Sequence, residues 1–179
     1  MDLITAIHEA GHAVAHRRLF ADRDFSYGMA LVPDEEQEEQ GMDGWNMLDR
    51  LGNDDDQSTA DYDVCRCAGY AAVVAAGFSE AEAAAGCYER DEYDFPQVHG
   101  DLETAKAKAI DLMRKPENVK AVKRIADELL SRRRLHGDHI ELLLQLEYVE
   151  ITEQEYLQLL YSRGWNNNGP TLEPEAWQI

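Results

Sequence analysis

Residues 7–14 read Ile7-His8-Glu9-Ala10-Gly11-His12-Ala13-Val14, an H-E-x-x-H pattern inside a helix-forming run. On an α-helix, His8 and His12 stand one turn apart on the same face, so two neutral ring nitrogens can reach one ion. Glu9 lies about 100° further round, a direction that suits a partner for an activated water better than a metal ligand. Zinc brings the pKa of water it holds down to about 7, and a carboxylate beside it can take the proton as the water attacks a carbonyl. The plain alternative is an amphipathic helix that happens to expose two histidines and a glutamate.

The rest of the helix over residues 3–20 is slim. Ile4, Ile7, Gly11, Val14 and Arg18 recur at spacings of three and four and make a packing stripe. Gly11 costs about 1 kcal/mol against Ala in a helix, so its presence predicts a close neighbour. Residues 59–77 are expected to supply that neighbour as a second helix. Cys65, Ala68, Gly69, Ala72, Ala75 and Ala76 give it a small-residue face that lets two backbones approach.

Outward from these helices, Phe25–Val32 reads as a strand ended by Pro33, and residues 45–48 as its returning partner. The acidic stretch 34–44 lacks periodicity and does not match a calcium loop. Helix is expected over 101–115, 117–134, 137–148 and 153–163, with Thr152-Glu153-Gln154-Glu155 as a capping box. Residues 79–85 add a turn or two of helix, 86–100 a loop, and 164–179 a turn-rich tail anchored by Trp165 and Trp177. The fold class is therefore mainly α, with a small β-hairpin or sheet beside the histidine helix.

Bulk properties narrow the partners. A net charge of −19 with 44% apolar residues describes a globular chain that repels nucleic acid and anionic membranes. No apolar run approaches the ~20 residues of a membrane span, and there is no leader-like segment, so a cytoplasmic protein is expected. Three cysteines show no paired framework; Cys65 and Cys67 read as small buried residues.

A catalytic zinc site needs a third protein ligand. His16, His99, Asp101, His136 and His139 are all available to the pattern. His16 continues the series from His12, but three histidines on successive turns of a straight helix cannot converge on one ion. His136 and His139 lie at a helix junction without a zinc signature. His99 and Asp101 sit on a loop running into a helix start.

Several stretches together resemble the protease domain of the FtsH-type, ATP-dependent zinc metallopeptidases (peptidase family M41). ITAIHEAGHAVAHRRL (4–19) is similar to its zinc helix, and FSYGMALVPDEE (25–36) to the strand and turn that follow. CAGYAAVVAAGF (67–78) is similar to its Gly-Gly-x-Ala-Ala-Glu helix, and GDLETAKAKAIDLM (100–113) to its third-ligand helix. The matches run in the same order across about residues 3–115. The resemblance implies a helical peptidase domain over 1–163. His8, His12 and Asp101 would be its Zn2+ ligands and Glu9 its general base. His99 would lie close to the metal, as a partner of a ligand or a polariser of the substrate carbonyl. The sequence departs from the family at Val73, where an acid is expected, and at Gly100, where an Asn is expected.

No G-x-x-x-x-G-K-[ST] loop is present, so ATP binding by this chain is not expected. The expected activity is ATP-independent hydrolysis of peptides or unfolded protein, with the substrate lying along 25–32 as an edge strand. The alternative is a catalytically weak or inactive interaction module built on the same helices. The resembled family forms hexamers largely through parts not seen here, which leaves homo-oligomer formation open.

Overall fold

Helix α1 (Asp2–Leu19) is buried continuously from Thr5 to His16. A helix covered on all sides is ordinarily apolar all round. This one encloses His8, Glu9, His12 and His16, and burying such groups is costly unless they are partnered. The computed structural model describes residues 2–20, 28–31, 44–47, 56–89 and 94–165.

Around α1 are strands β1 (Gly28–Leu31) and β2 (Gly44–Met47), helices α2 (Asp56–Arg66), α3 (Ala68–Ala75) and α4 (Glu80–Glu89), and a 3-10 turn at Phe95–Gln97. There follow α5 (Leu102–Met113), α6 (Pro116–Arg132), strand β3 (Arg134–His136), α7 (Gly137–Glu147) and α8 (Glu153–Ser162). The protein is mainly helical, as the periodicity predicts. Among the described residues no helix is long and apolar enough to cross a membrane.

The slim faces meet as expected. A Cβ on Gly11 would fall 2.5 Å from the Ala68 carbonyl oxygen and 2.7 Å from the Ala72 Cβ. Only a glycine lets α1 and α3 cross at this distance. On its other side α1 packs against α6, whose Ala121, Val122, Ile125, Ala126 and Leu129 are buried as the 3.6-residue period requires. Arg18, at the rim, bonds the buried Asn118 side chain at 2.9 Å.

Four boundaries differ from the sequence reading. The 59–77 segment begins earlier, at Asp56, and is divided at Cys67 into α2 and α3. Helix α4 runs on to Glu89 where a loop is expected from residue 86. Helix α6 stops at Arg132 because Arg133 turns left-handed, with φ 64°. The chain then enters β3, which the sequence reading assigned to helix and loop.

That third strand changes the sheet. Its order is β2-β1-β3, both pairings antiparallel, with Met29 opposite Asn46 and Leu135. Strand β1 is therefore the centre of the sheet and not an edge along which a substrate could pair. Met29, Leu31 and Leu135 point into the core. The capping box of α8 is present, with Thr152 accepting from the Glu155 amide. The acidic stretch at 34–43 and the tail from 166 lie outside the described residues.

Candidate metal centre

The i, i+4 spacing on α1 brings the Nε2 atoms of His8 and His12 to 3.1 Å from each other. Asp94 faces both, with Oδ2 3.1 Å from His8 Nε2 and Oδ1 3.2 Å from His12 Nε2. One ligand atom from each of the three lies within 4.8 Å of the others, and all three residues are buried.

Helix α2 and helix α3 set the ring orientations. The backbone carbonyl of Cys65 is 2.9 Å from His12 Nδ1. It accepts the Nδ1 proton, which leaves the Nε2 lone pair of neutral His12 directed at the cluster. The His8 ring lies on Gly69, where a Cβ would come within 2.5 Å of ring atoms Cε1 and Nε2. The small residues of α3 thus do two things: they let α1 approach, and they leave room for a ligand ring.

Asp94 opens the 3-10 turn, and its carbonyl accepts the Gln97 amide at 3.0 Å. The next residue, Phe95, is buried edge-on against Tyr70, the residue after Gly69. Lys106 of α5 caps both rings, 4.5 Å from the Phe95 centroid and 5.4 Å from that of Tyr70. This packing anchors the Asp94 segment to the helix that carries Gly69.

Electrostatics follow from the grouping. Burial by itself pushes the His12 imidazole down. The Asp94 carboxylate outweighs it by charge and hydrogen bonding, with Glu9 adding to the upward pull, and the net shift is up from 6.5. For Asp94, burial favours the neutral acid, but the charges of His12 and His8 hold the carboxyl well below its usual 3.8. Burial, then the Asp94 charge, pushes the Cys65 thiol up to about 12, so the free thiol stays protonated at neutral pH.

Two imidazole nitrogens and a carboxylate grouped this closely could hold a metal ion. A tetrahedral zinc with ligand bonds of about 2.0–2.2 Å separates its ligand atoms by roughly 3.3 Å. The two ring nitrogens, 3.1 Å apart, are near that figure, and each lies close to a different oxygen of Asp94, at 3.1 and 3.2 Å. The donor set, two His and one carboxylate, also fits zinc with one position left over.

Glu9 is buried beside the pair, and its charge acts on His12. Asp101, the third ligand implied by the family resemblance, is not part of the cluster. It is exposed and caps α5, accepting the Thr104 amide at 2.8 Å and the Thr104 hydroxyl. The carboxylate that stands beside the two histidines is that of Asp94, seven residues earlier in the chain. His99 is also exposed, and its backbone amide donates to Asp63 at 2.9 Å. His16 is fully buried one turn beyond His12, with its ring 5.7 Å from that of Phe20. His136 and His139 both stack on Trp165, away from the cluster.

Sequence reasoning missed Asp94 because it lies among Asp91, Glu92 and Glu89 with no ligand spacing to distinguish it. The one usable signal was Asp94-Phe95-Pro96, an acid held beside a large apolar residue in a turn. Comparison with protein-family models, with curated proteins and with solved structures gives no match.

Proposed function

We propose that the protein is a zinc-dependent, ATP-independent metallopeptidase whose ligands are His8, His12 and Asp94 and whose general base is Glu9. The observation that carries this reading is the convergence of three buried ligand atoms within 4.8 Å beside a buried glutamate. A zinc ion held there would supply Lewis acidity toward a carbonyl and a water of near-neutral pKa. Glu9 takes a proton from the attacking water and later hands one to the leaving amine. Cys65 holds His12 in the tautomer that keeps Nε2 free of a proton, and Gly69 gives the His8 ring its place.

The ligands are recessed, His8 and His12 at 8% exposure and Asp94 at 2%. Such a site admits an extended peptide or an unfolded segment more readily than a folded surface. With β1 central, the available pairing edges in the described sheet belong to β2 and β3.

The test is hydrolysis of unfolded casein by zinc-loaded protein beside Glu9→Gln. A loss of about 10²–10⁴-fold in rate with zinc retained supports the mechanism. Equal rates for the two proteins would sink it, and zinc bound without hydrolysis in the wild type would leave a metal-stabilised interaction module.

A further inference from the structure

The segment that carries Asp94 is held at its far end by a carboxylate that takes no direct part in the cluster. Asp63, on the last turn of α2, is buried. Its Oδ1 accepts the His99 amide at 2.9 Å and its Oδ2 accepts the Gly100 amide at 2.8 Å. Arg66, three residues on, donates to Oδ1 at 3.1 Å and balances the charge. A Cβ on Gly100 would stand 3.1 Å from Asp63 Oδ2, so the turn is pressed closely onto the carboxylate.

Between this clamp and Asp94 the chain has little slack. Gln97 donates to the Asp94 carbonyl at 3.0 Å and Val98 to the Phe95 carbonyl at 3.2 Å. Residues 94–98 are thus a closed 3-10 turn, fixed at one end by the Phe95 ring and at the other by the Asp63 bonds. Two residues beyond Asp63, the Cys65 carbonyl holds His12 Nδ1. One short stretch of α2 therefore touches both halves of the cluster: the histidine helix through Cys65 and the carboxylate segment through Asp63.

We propose that Asp63 is a positioning residue, whose carboxylate clamps the His99–Gly100 turn and thereby fixes Asp94 against the His8–His12 pair. Two amides received by one buried carboxylate are charge-assisted bonds, stronger than neutral ones. An isosteric amide cannot replace them. Asparagine offers one acceptor oxygen and turns an NH2 toward the other amide, donor against donor. The inference deepens the proposed metal chemistry and rests on that reading for its effect on metal affinity, but not for the clamp itself.

The experiment compares wild type, Asp63→Asn and Arg66→Gln, the last removing a partner of Asp63 that does not touch the turn. In chelated protein, hydrogen exchange at the Gln97 and Val98 amides should quicken by at least about tenfold in Asp63→Asn, with α6–α8 unchanged and Arg66→Gln near wild type. Zinc affinity, by competition with a chromophoric chelator, should fall about 10–100-fold in Asp63→Asn. The visible spectrum of the Co2+-loaded variant should change in intensity, because Asp94 no longer holds its place. Unchanged exchange at Gln97 and Val98 overturns the clamp. Quickened exchange with zinc affinity and Co2+ spectrum identical to wild type overturns the positioning of Asp94. A wild type that binds no zinc refutes the proposed function instead, and the exchange comparison still decides the clamp.

Discussion

Among the described residues, the buried His8–His12 pair and the buried His139 sit in surroundings that favour opposite charge states. At the first, His8 and His12 share the Asp94 carboxylate, and the net effect is to raise His12 above its ordinary value. At the second, His139 lies against the Tyr156 hydroxyl at 3.3 Å and stacks on Trp165, ring centroids 5.2 Å apart. Burial dominates there and lowers His139 to about 4, although Glu128 pulls the other way. Burial of a histidine says little about its role. A carboxylate in contact gives the first pair a donor set that could hold a cation; a phenol and an indole make His139 part of a neutral packing joint that fastens the end of α8 to α7.

Replacing His12 and His139 in turn gives the largest expected difference. His12→Ala should lower zinc affinity by more than about 100-fold, beyond the effect of losing an outer partner. His139→Phe should leave zinc affinity unchanged and alter stability by no more than about 1.5 kcal/mol, the scale of one hydrogen bond. Chelator competition and thermal melts of both variants measure this. Comparable zinc loss in both would erase the distinction.

Next in size is Gly69→Ala. A Cβ 2.5 Å from the His8 ring forces the ring or α3 to move. Overpacking of this kind costs about 1–3 kcal/mol, and zinc affinity should fall with it because the displaced group is a ligand. Gly11→Ala meets the Ala68 carbonyl at a similar distance, but it should cost stability with a smaller effect on zinc. Reversal of that order, in melts and chelator competition, would show that Gly69 serves packing alone.

The smallest effect is a pair of opposite pH slopes in the chelated protein. His12 has a raised pKa, so its contribution is complete below the unfolded value of 6.5 and is lost as pH rises through the folded value. His139 has a lowered pKa, so the unfolded chain takes up a proton that the folded one refuses. Stability is therefore lost as pH falls from 6.5 toward 4. Asp94 adds stability above 3.8 that is lost as pH falls through its depressed folded value. His139→Phe should flatten the acid side of the melting profile, and His12→Ala the alkaline side. Added zinc should stabilise wild type more at higher pH, because protons compete for the same nitrogens. A zinc increment independent of pH would contradict ligation by His8 and His12.

Much of this was legible in the sequence where the signal was local. The histidine pair follows from helical spacing alone. The crossing of α1 and α3 follows from Gly11 facing a run of small residues, and the α8 cap from Thr152 and Glu155. Where structure and sequence reading part, the cause is contacts distant in the chain. Strand β3 is three residues with one buried side chain, Leu135, too short for an alternating pattern and formed only because β1 offers a free edge. Asp101 carries a strong local signature, but a residue at a helix start satisfies the cap and the family motif equally well. Asp94 has no ligand spacing, only the weak Asp94-Phe95-Pro96 turn signal, and the packing of Phe95 on Tyr70 helps bring its carboxylate to the histidines.

The most direct test of the account is zinc stoichiometry in three purified proteins: wild type, Asp94→Asn and Asp101→Asn. The cluster predicts one zinc per chain for wild type and for Asp101→Asn, and little retained zinc for Asp94→Asn. Zinc lost in Asp101→Asn and kept in Asp94→Asn would contradict it, as would a wild type that holds none.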